Sequence, residues 1–546
     1  PAFPPSIVGV PTAIPAFIGY TEMALVNGQP AYLQPIEIGS MADFEQTFGG
    51  AFQPLYDITD VTGNVKDPSK DPYDFSVVDP TTTPDPTTKY YTLTDKSRET
   101  ISPIITLRVP QFILYNSMKL FYANGGSNCY VVSVGPYSMN GIIGKVSKTD
   151  LLNGLEAVKN QFGPTMLVVP EAILLPPTDA TKDPWVSSDY SDVVTAMITQ
   201  ASGQLDRVAL IDVYGTQYLS NNPTATSTTA APLTTLAKLV EGTGGFQDAV
   251  GDNGLSYGIA YFPMLNTTIE ATEITFQNIN SGPSFDLLNL ILGWAATDGT
   301  NPPPAALTAM IAAMTPASAN QTPADDLAVE KLNNNLVAAI PLLGTIETII
   351  AGMNGVLPAT PAIAGAYTFS DTSKGVWNAP ANISLARVTS PAYQVNATDQ
   401  GTILNMPLNG KAVDAIRTFP GSGTVIWGAR TLDGNSNDYR YVQVRRTLIY
   451  IEQSVRVALQ QFVFAPNVPA TWTTVVSMIN NFLQNLWSRG GLFGATPKDA
   501  FIVTCGLGST MTAQDILNGF MNVQVVLSLV RPAEFIELTF TQEMAG

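Results

Sequence analysis

Side chains that commonly carry chemistry are sparse in this 546-residue chain, and one of them is missing altogether: there is no histidine. That removes the usual general base near neutral pH and the commonest metal ligand, so Ser-His, Cys-His and His-zinc sites are excluded. The two cysteines, Cys129 and Cys505, lie far apart and form no CxxC pattern, which argues against a disulfide framework and for a reducing compartment. The stretch "DGNSNDYR" begins like a calcium loop with Asp433, Asn435 and Asn437 at alternate positions. Its sixth position is Asp438 rather than Gly and its twelfth is Val444 rather than Glu, so it reads as a polar turn. The glycine clusters at 241–254 and 420–428 fit neither GxxxxGK[ST] nor GxGxxG and also read as turns. No catalytic residue, metal ligand or cofactor site is assigned.

What the sequence does concentrate is arginine. Residues 424–456 carry Arg430, Arg440, Arg445, Arg446 and Arg456 in a chain of net charge −18. Residues 1–400 hold 16 basic and 35 acidic groups, whereas residues 401–546 hold 10 and 9. An acidic chain of this kind repels nucleic acid and anionic headgroups, which excludes a DNA-binding role. The arginines either brace a core against carboxylates or serve contacts between subunits.

The elements that would position them follow from periodicity. Prolines at 1, 4, 5, 11 and 15 deny residues 1–20 a helix and make an extended arm with Phe3, Ile7, Val8 and Val10 as its apolar residues. "AFIGYTEMA" reads as a strand and "SMADFEQTFGG" as a helix capped by Ser40 and ended by Gly49. Residues 51–109 include an Asp-, Pro- and Thr-rich run that predicts a solvated surface insertion burying little. From 110 to 265, helical stretches alternate with apolar runs such as "NCYVVSVG" and "DRVALIDVY", the order of an α/β layer. A helical insertion occupies about 280–360, where the apolar run at 335–353 is broken by Pro341 and Glu347 and falls short of a bilayer span. No direct membrane insertion is expected, and the N-terminal segment lacks the features of a Sec signal.

The last third is dense in helix signals. Leu448, Ile451, Val455, Leu459 and Phe462 recur every three or four residues, as do Trp472, Val475, Val476, Ile479, Phe482, Leu483 and Leu486 before Gly490. Thr496, Pro497 and Asp499 suit a helix start. The tail from 522 reads as two strands divided by Pro532, the second with Ile536, Leu538 and Phe540 on one face and Phe535 on the other. Such a strand is either an edge of its own domain or is donated to a neighbouring subunit.

In order along the chain, "LFYANGGSNCYVVSVG", "GPTMLVVPEAILLP", "GDNGLSYGIAYFP", "GVWNAPAN", "KAVDAIRTFPGSGTVIWGARTLDGN", "YRYVQVRRTLIYIEQSV", "FVFAPN", "LWSRGGLFGATPKDAFIV" and "RPAEFIELTF" resemble the contractile tail sheath proteins. These build the sheaths of myovirus tails, R-type bacteriocins and extracellular contractile injection systems. The resemblance implies a multidomain fold of α/β and α+β character, with a mixed-sheet core domain made from the N-terminal segment (21–50) plus 366–530. Outer domains are inserted at 51–109 and 110–365, and arms extend at 1–20 and 531–546. It implies a homo-oligomer in rings or helical strands around an inner tube protein, with baseplate and terminal cap proteins as further partners and no cofactor. Lys498 and Asp499 are then candidates to face the tube. Assembly in the bacterial cytoplasm, within a phage tail or tail-like particle, is the expected setting. The alternatives are another repetitive shell, a type VI secretion-like sheath, or a divergent α/β enzyme for which no intact motif is present.

Overall fold

The computed structural model describes residues 6–60, 74–81, 87–95, 112–139, 142–176, 187–216, 235–241, 245–269, 274–279, 285–297, 303–316, 323–405, 407 and 409–534. Its centre is one eight-stranded sheet. In chain order the strands are β1 (Pro15–Thr21), β2 (Ile36–Ile38), β3 (Cys129–Pro136), β4 (Met166–Val168), β5 (Val208–Asp212), β6 (Gly258–Phe262), β7 (Asp414–Phe419) and β8 (Gly423–Ile426). In space they run β8-β7-β6-β5-β4-β1-β3-β2. The pairings from β7 through β3 are parallel, while β8 and β2 close the two edges antiparallel.

Parallel strands need helical crossovers, which cover both faces, so their sequences are continuously apolar rather than alternating. "MLV", "VALID" and "GIAYF" are buried at every position, and so is "PAFIGYT". The covering helices include α1 (Met41–Phe48), α2 (Leu114–Ala123), α3 (Lys148–Val158), α4 (Ser188–Gln204) and α5 (Thr360–Lys374). Helix α1 starts as its sequence predicts: the Asp43 N–H donates to Ser40 Oγ at 3.2 Å, and Gly49 ends it with φ at 82°.

Three segments that composition sets apart contribute strands to this one sheet. β1 comes from the proline-rich N-terminal stretch, β3 to β6 from the α/β layer, and β7 and β8 from the C-terminal third. The extended arm therefore stops at residue 14. From Pro15 the chain lies between β4 and β3, with Phe17 in register with Val168 and Val131.

The Asp/Pro-rich insertion buries more than its composition predicts. Strands Tyr56–Asp60, Asp74–Asp79 and Thr87–Asp95 form an antiparallel sheet with the last in the middle. Alternate residues Tyr56, Ile58, Phe75, Val77, Tyr91 and Leu93 are buried, and they pack against helices Asp286–Ala295, Pro323–Ala339 and Pro341–Asn354. Composition averages the apolar face with polar outward positions and linking residues, so period-two alternation is the better guide here. The two insertions thus share a single core, in which the last two helices fold back on each other at a 115° bend.

A third core gathers the C-terminal elements: α6 (Val442–Leu459), α7 (Pro469–Ser488) and a two-stranded antiparallel sheet, β9 (Phe501–Thr504) with β10 (Gln524–Leu527). Helix α7 buries Trp472, Val475, Ile479, Phe482, Leu483 and Leu486, the face its periodicity predicts. Thr496 and Asp499 cap the short helix Pro497–Ala500 reciprocally.

Candidate functional site

Two of the arginines that stand out in the sequence, Arg445 and Arg446, lie at the start of α6, which is buried nearly all round. Gln443, Val444, Arg445, Arg446 and Thr447 are all buried. A buried guanidinium requires partners, because its desolvation is otherwise uncompensated. Each arginine finds them differently.

Arg446 pairs with Asp371 of α5 through two hydrogen bonds, at 3.0 and 2.6 Å. It also donates to the Thr12 carbonyl at 2.9 Å and lies over the Tyr367 ring at 4.5 Å. Thr12 Oγ1 in turn donates to Asp371. The N-terminal segment is therefore tied to α5 and α6 at one point. It continues along α6, where the Val10 N–H donates to Ser454 Oγ at 3.1 Å. Ile7 packs into the C-terminal core, Val10 is half-buried, and Val8 is 79% exposed. Phe3 lies outside the described residues.

Arg445 takes no carboxylate among the described residues. Its guanidinium is sandwiched between the rings of Tyr257, at 4.2 Å, and Tyr439, at 3.9 Å. It donates to the Tyr257 and Ser256 hydroxyls at 3.2 and 2.8 Å. Aromatic faces stabilise a desolvated cation through the ring quadrupole. Arg440 donates to the Gly434 carbonyl at 2.8 Å, holding the polar turn in place. Arg456 is exposed on the far half of α6.

Arg430 is the third anchor. It gives Nε and a terminal nitrogen to the two oxygens of Glu534, at 2.8 and 2.6 Å, and its other terminal nitrogen to the Asn405 carbonyl at 2.7 Å. Tyr441, paired with Arg430 across an isolated antiparallel bridge, adds its hydroxyl to Glu534 at 3.2 Å. Asp414 sits beneath, accepting the Arg430 backbone N–H at 2.8 Å. Burial pushes the Asp414 carboxyl well above its usual value, and the Glu534 charge pushes the same way. The five arginines thus do not form one patch. Arg430 and Arg446 each anchor a terminal segment to the body, and Arg445 fastens α6 to the loop before β6.

Two further buried carboxylates hold the sheet's helices, and sequence reasoning missed both. Glu171, just after β4, accepts the backbone N–H groups of Tyr20 at 2.8 Å, Ile113 at 3.0 Å and Leu114 at 3.3 Å. Burial pushes it up to about 8 despite those donors. Asp212, at the end of β5, accepts the N–H groups of Ala359 and Thr360, at 2.7 and 3.0 Å, and the Thr360 hydroxyl. Burial raises it to about 6. Both carboxyl groups cap helix starts, where the backbone N–H donors and the helix dipole partly offset the cost of burying their charged forms. Apolar runs around both positions hide them from pattern-reading.

The other predicted positions fall at the periphery. Lys498 is exposed, and Asp499 is engaged in capping, accepting the Thr496 N–H at 3.0 Å. Phe535, Ile536, Leu538 and Phe540 lie outside the described residues. The β9–β10 hairpin presents Ile502 and Val526, directly opposite each other, at 54% and 51% exposure. Among the described residues, no further strand pairs along Phe501–Thr504 or Gln524–Leu527. A two-stranded sheet whose edges take no further strand among the described residues, with an apolar outer face, leaves backbone groups that another strand could pair.

Residues 435–543 match the phage tail sheath C-terminal domain. The tail sheath protein of Burkholderia phage BcepMu is 31% identical over 141 residues, which are 25% of this chain and 29% of that relative's length. The sheath of an extracellular contractile injection system, PVC, in its contracted state aligns over 98% of this chain and 94% of its own, with a TM-score of 0.54 at 22% identity. The contracted helical sheath of the anti-feeding prophage aligns over 100% and 97%, with a TM-score of 0.54 at 22% identity. The chain therefore resembles the contractile sheath proteins, by sequence over its C-terminal domain and by fold along its length.

Proposed function

We propose that this chain is the structural subunit of a contractile tail sheath. Copies polymerise in rings or helical strands around an inner tube and shorten to drive that tube through a target cell envelope. The observation that carries the reading is the open-edged β9–β10 hairpin lying within the region that matches the sheath C-terminal domain. Main-chain hydrogen bonds from a donated strand would satisfy those edges, and alternate side chains would set its register. The segments before Ile7 and beyond Glu534 are the donors in this reading, each followed or preceded on its own subunit by a stretch that a buried arginine anchors.

Contraction needs no nucleotide in this scheme. The array stores its driving force in an extended arrangement and relaxes, by rigid-body rotation of subunits, into one with more interface. Arms that remain paired keep the subunits tethered while other contacts exchange. The role is structural rather than catalytic. The inner tube, a baseplate that triggers the stroke and a terminal cap are the partners, within a phage tail or tail-like particle. Lys498, exposed beside the hairpin, is assigned to the tube-facing side. Weak exposed charge contacts suit a surface that must release, and unchanged tube binding by Lys498→Glu would remove that assignment.

The test is negative-stain electron microscopy of the full chain beside a version lacking residues 535–546. Hollow striated tubes from the full chain and dispersed particles from the truncation are expected. Dispersed particles from both, with or without a tube protein, would overturn the reading.

A further inference from the structure

We propose that Glu534 is a register pin for the segment that follows it, seated on Arg430. This rests on the reading above that residues beyond 534 pair with a neighbouring subunit. The seat is a three-donor site for one carboxylate. Arg430 Nε serves one oxygen, while its terminal nitrogen and the Tyr441 hydroxyl converge on the other. The guanidinium is itself fixed, since its remaining terminal nitrogen is spent on the Asn405 carbonyl and its side chain is only 4% exposed. Fork-shaped pairing of this kind specifies position as well as energy.

The neighbouring residues leave Glu534 as the point that fixes the chain. Arg531 reaches Asp438 only at 3.9 Å, with both side chains largely exposed, a contact too weak to hold a strand in place. Ala533 carries no group that could occupy the seat, and neither does Phe535. A slip of one residue would therefore leave the buried guanidinium without its anion. Such a slip is also the error that a donated strand cannot tolerate, because it sends every side chain to the opposite face. Asp414 does not occupy the seat: among the described residues it accepts the Arg430 backbone N–H, while the guanidinium bonds go to Glu534 and the Asn405 carbonyl.

The experiment has two arms. In the dispersed full-length chain, a glutamyl endopeptidase followed by mass spectrometry reads cutting after Glu534. Arg430→Gln is expected to raise that rate about tenfold, about 1.4 kcal/mol of lost protection, with Tyr441→Phe intermediate and cutting at other glutamates unchanged. Equal rates in the parent and in both variants would overturn the seat. In the assembly arm, Glu534→Gln keeps one acceptor for the guanidinium but removes its counter-charge, so it is expected to lower the melting temperature modestly while the subunit still folds, and to give tubes of irregular striation; tubes of parental regularity would overturn the register role. If the parent itself forms no tubes, the sheath reading falls, and the proteolysis arm decides the seat by itself.

Discussion

Arg446 and Asp371 meet 75 residues apart in sequence through paired hydrogen bonds at 3.0 and 2.6 Å, and both side chains are nearly inaccessible to solvent. Their bond joins α6 to α5 and, through Thr12, brings in the N-terminal segment. Removing one partner strands the other charge in the core. Asp371→Ala is therefore expected to cost about 3–5 kcal/mol in urea unfolding. The double variant Arg446→Met/Asp371→Leu should recover most of that loss, since no buried charge remains. A single-variant loss below about 1 kcal/mol would show that the pair is solvated in solution.

Glu171 gives the stability of the chain a pH dependence of unusual sign. A glutamate in an unfolded chain ionises near 4.3, whereas burial raises this one to about 8. Between those values the folded state holds a proton that the unfolded state has lost. Stability accordingly falls as pH rises through that window, by about 1.4 kcal/mol per pH unit at most. Asp212, raised to about 6, adds to the same trend over the lower part of the window. Glu171→Gln cannot ionise, so its unfolding free energy should decline less than the parent's between pH 5 and 8. An identical slope in the two proteins would mean that Glu171 does not titrate on unfolding.

Helix α5 crosses α2 at Gly365 so closely that an added Cβ would lie 2.4 Å from the Phe121 carbonyl oxygen. Alanine normally gains up to about 1 kcal/mol over glycine inside a helix, but a backbone clash of this kind costs about 1–3 kcal/mol. The clash should win, and Gly365→Ala should lower the melting temperature. Gly352, in helix Pro341–Asn354, has no neighbour among the described residues within 4 Å of its would-be Cβ, so Gly352→Ala should raise it. Shifts of the same sign in both variants would contradict this account of the crossing.

Elements with a local signal were legible in the sequence. Helix α7 showed its buried face as a three- and four-residue repeat, and the cap at Thr496 with Asp499 is a pattern four residues long. The apolar runs of β3 and β5 announced strands of an α/β layer. What was not legible depends on distance along the chain. Tyr56 donates its hydroxyl to Asn354, 298 residues away, and nothing near Tyr56 indicates that a helical segment covers it. The arginines drew notice as a group, but their partners did not: Glu534 is 104 residues from Arg430, and the tyrosines that cage Arg445 look like ordinary core aromatics. Pairing across such separations is decided by the tertiary fold, which a single sequence does not display.

Ile502 and Val526 stand directly across from each other on β9 and β10, on the face turned away from the C-terminal core. Phe501 and Val503 take the inward positions on β9, and Val525 and Leu527 do so on β10, so the hairpin does not need the outer pair to hold its place. If neighbouring strands or subunits cover this outer face, charge there should block assembly while leaving the subunit folded. Ile502→Lys/Val526→Glu places opposite charges opposite each other, a cross-strand arrangement that is mildly favourable rather than repulsive. Its melting temperature is therefore expected to stay within about 4 °C of the parent, the shift that about 1 kcal/mol produces at most in a chain of this size. Tubes, in contrast, should be absent by electron microscopy at concentrations where the parent forms them. Tubes of normal length from this variant would show that the outer face of the hairpin stays free, and would move the interface to its edges alone.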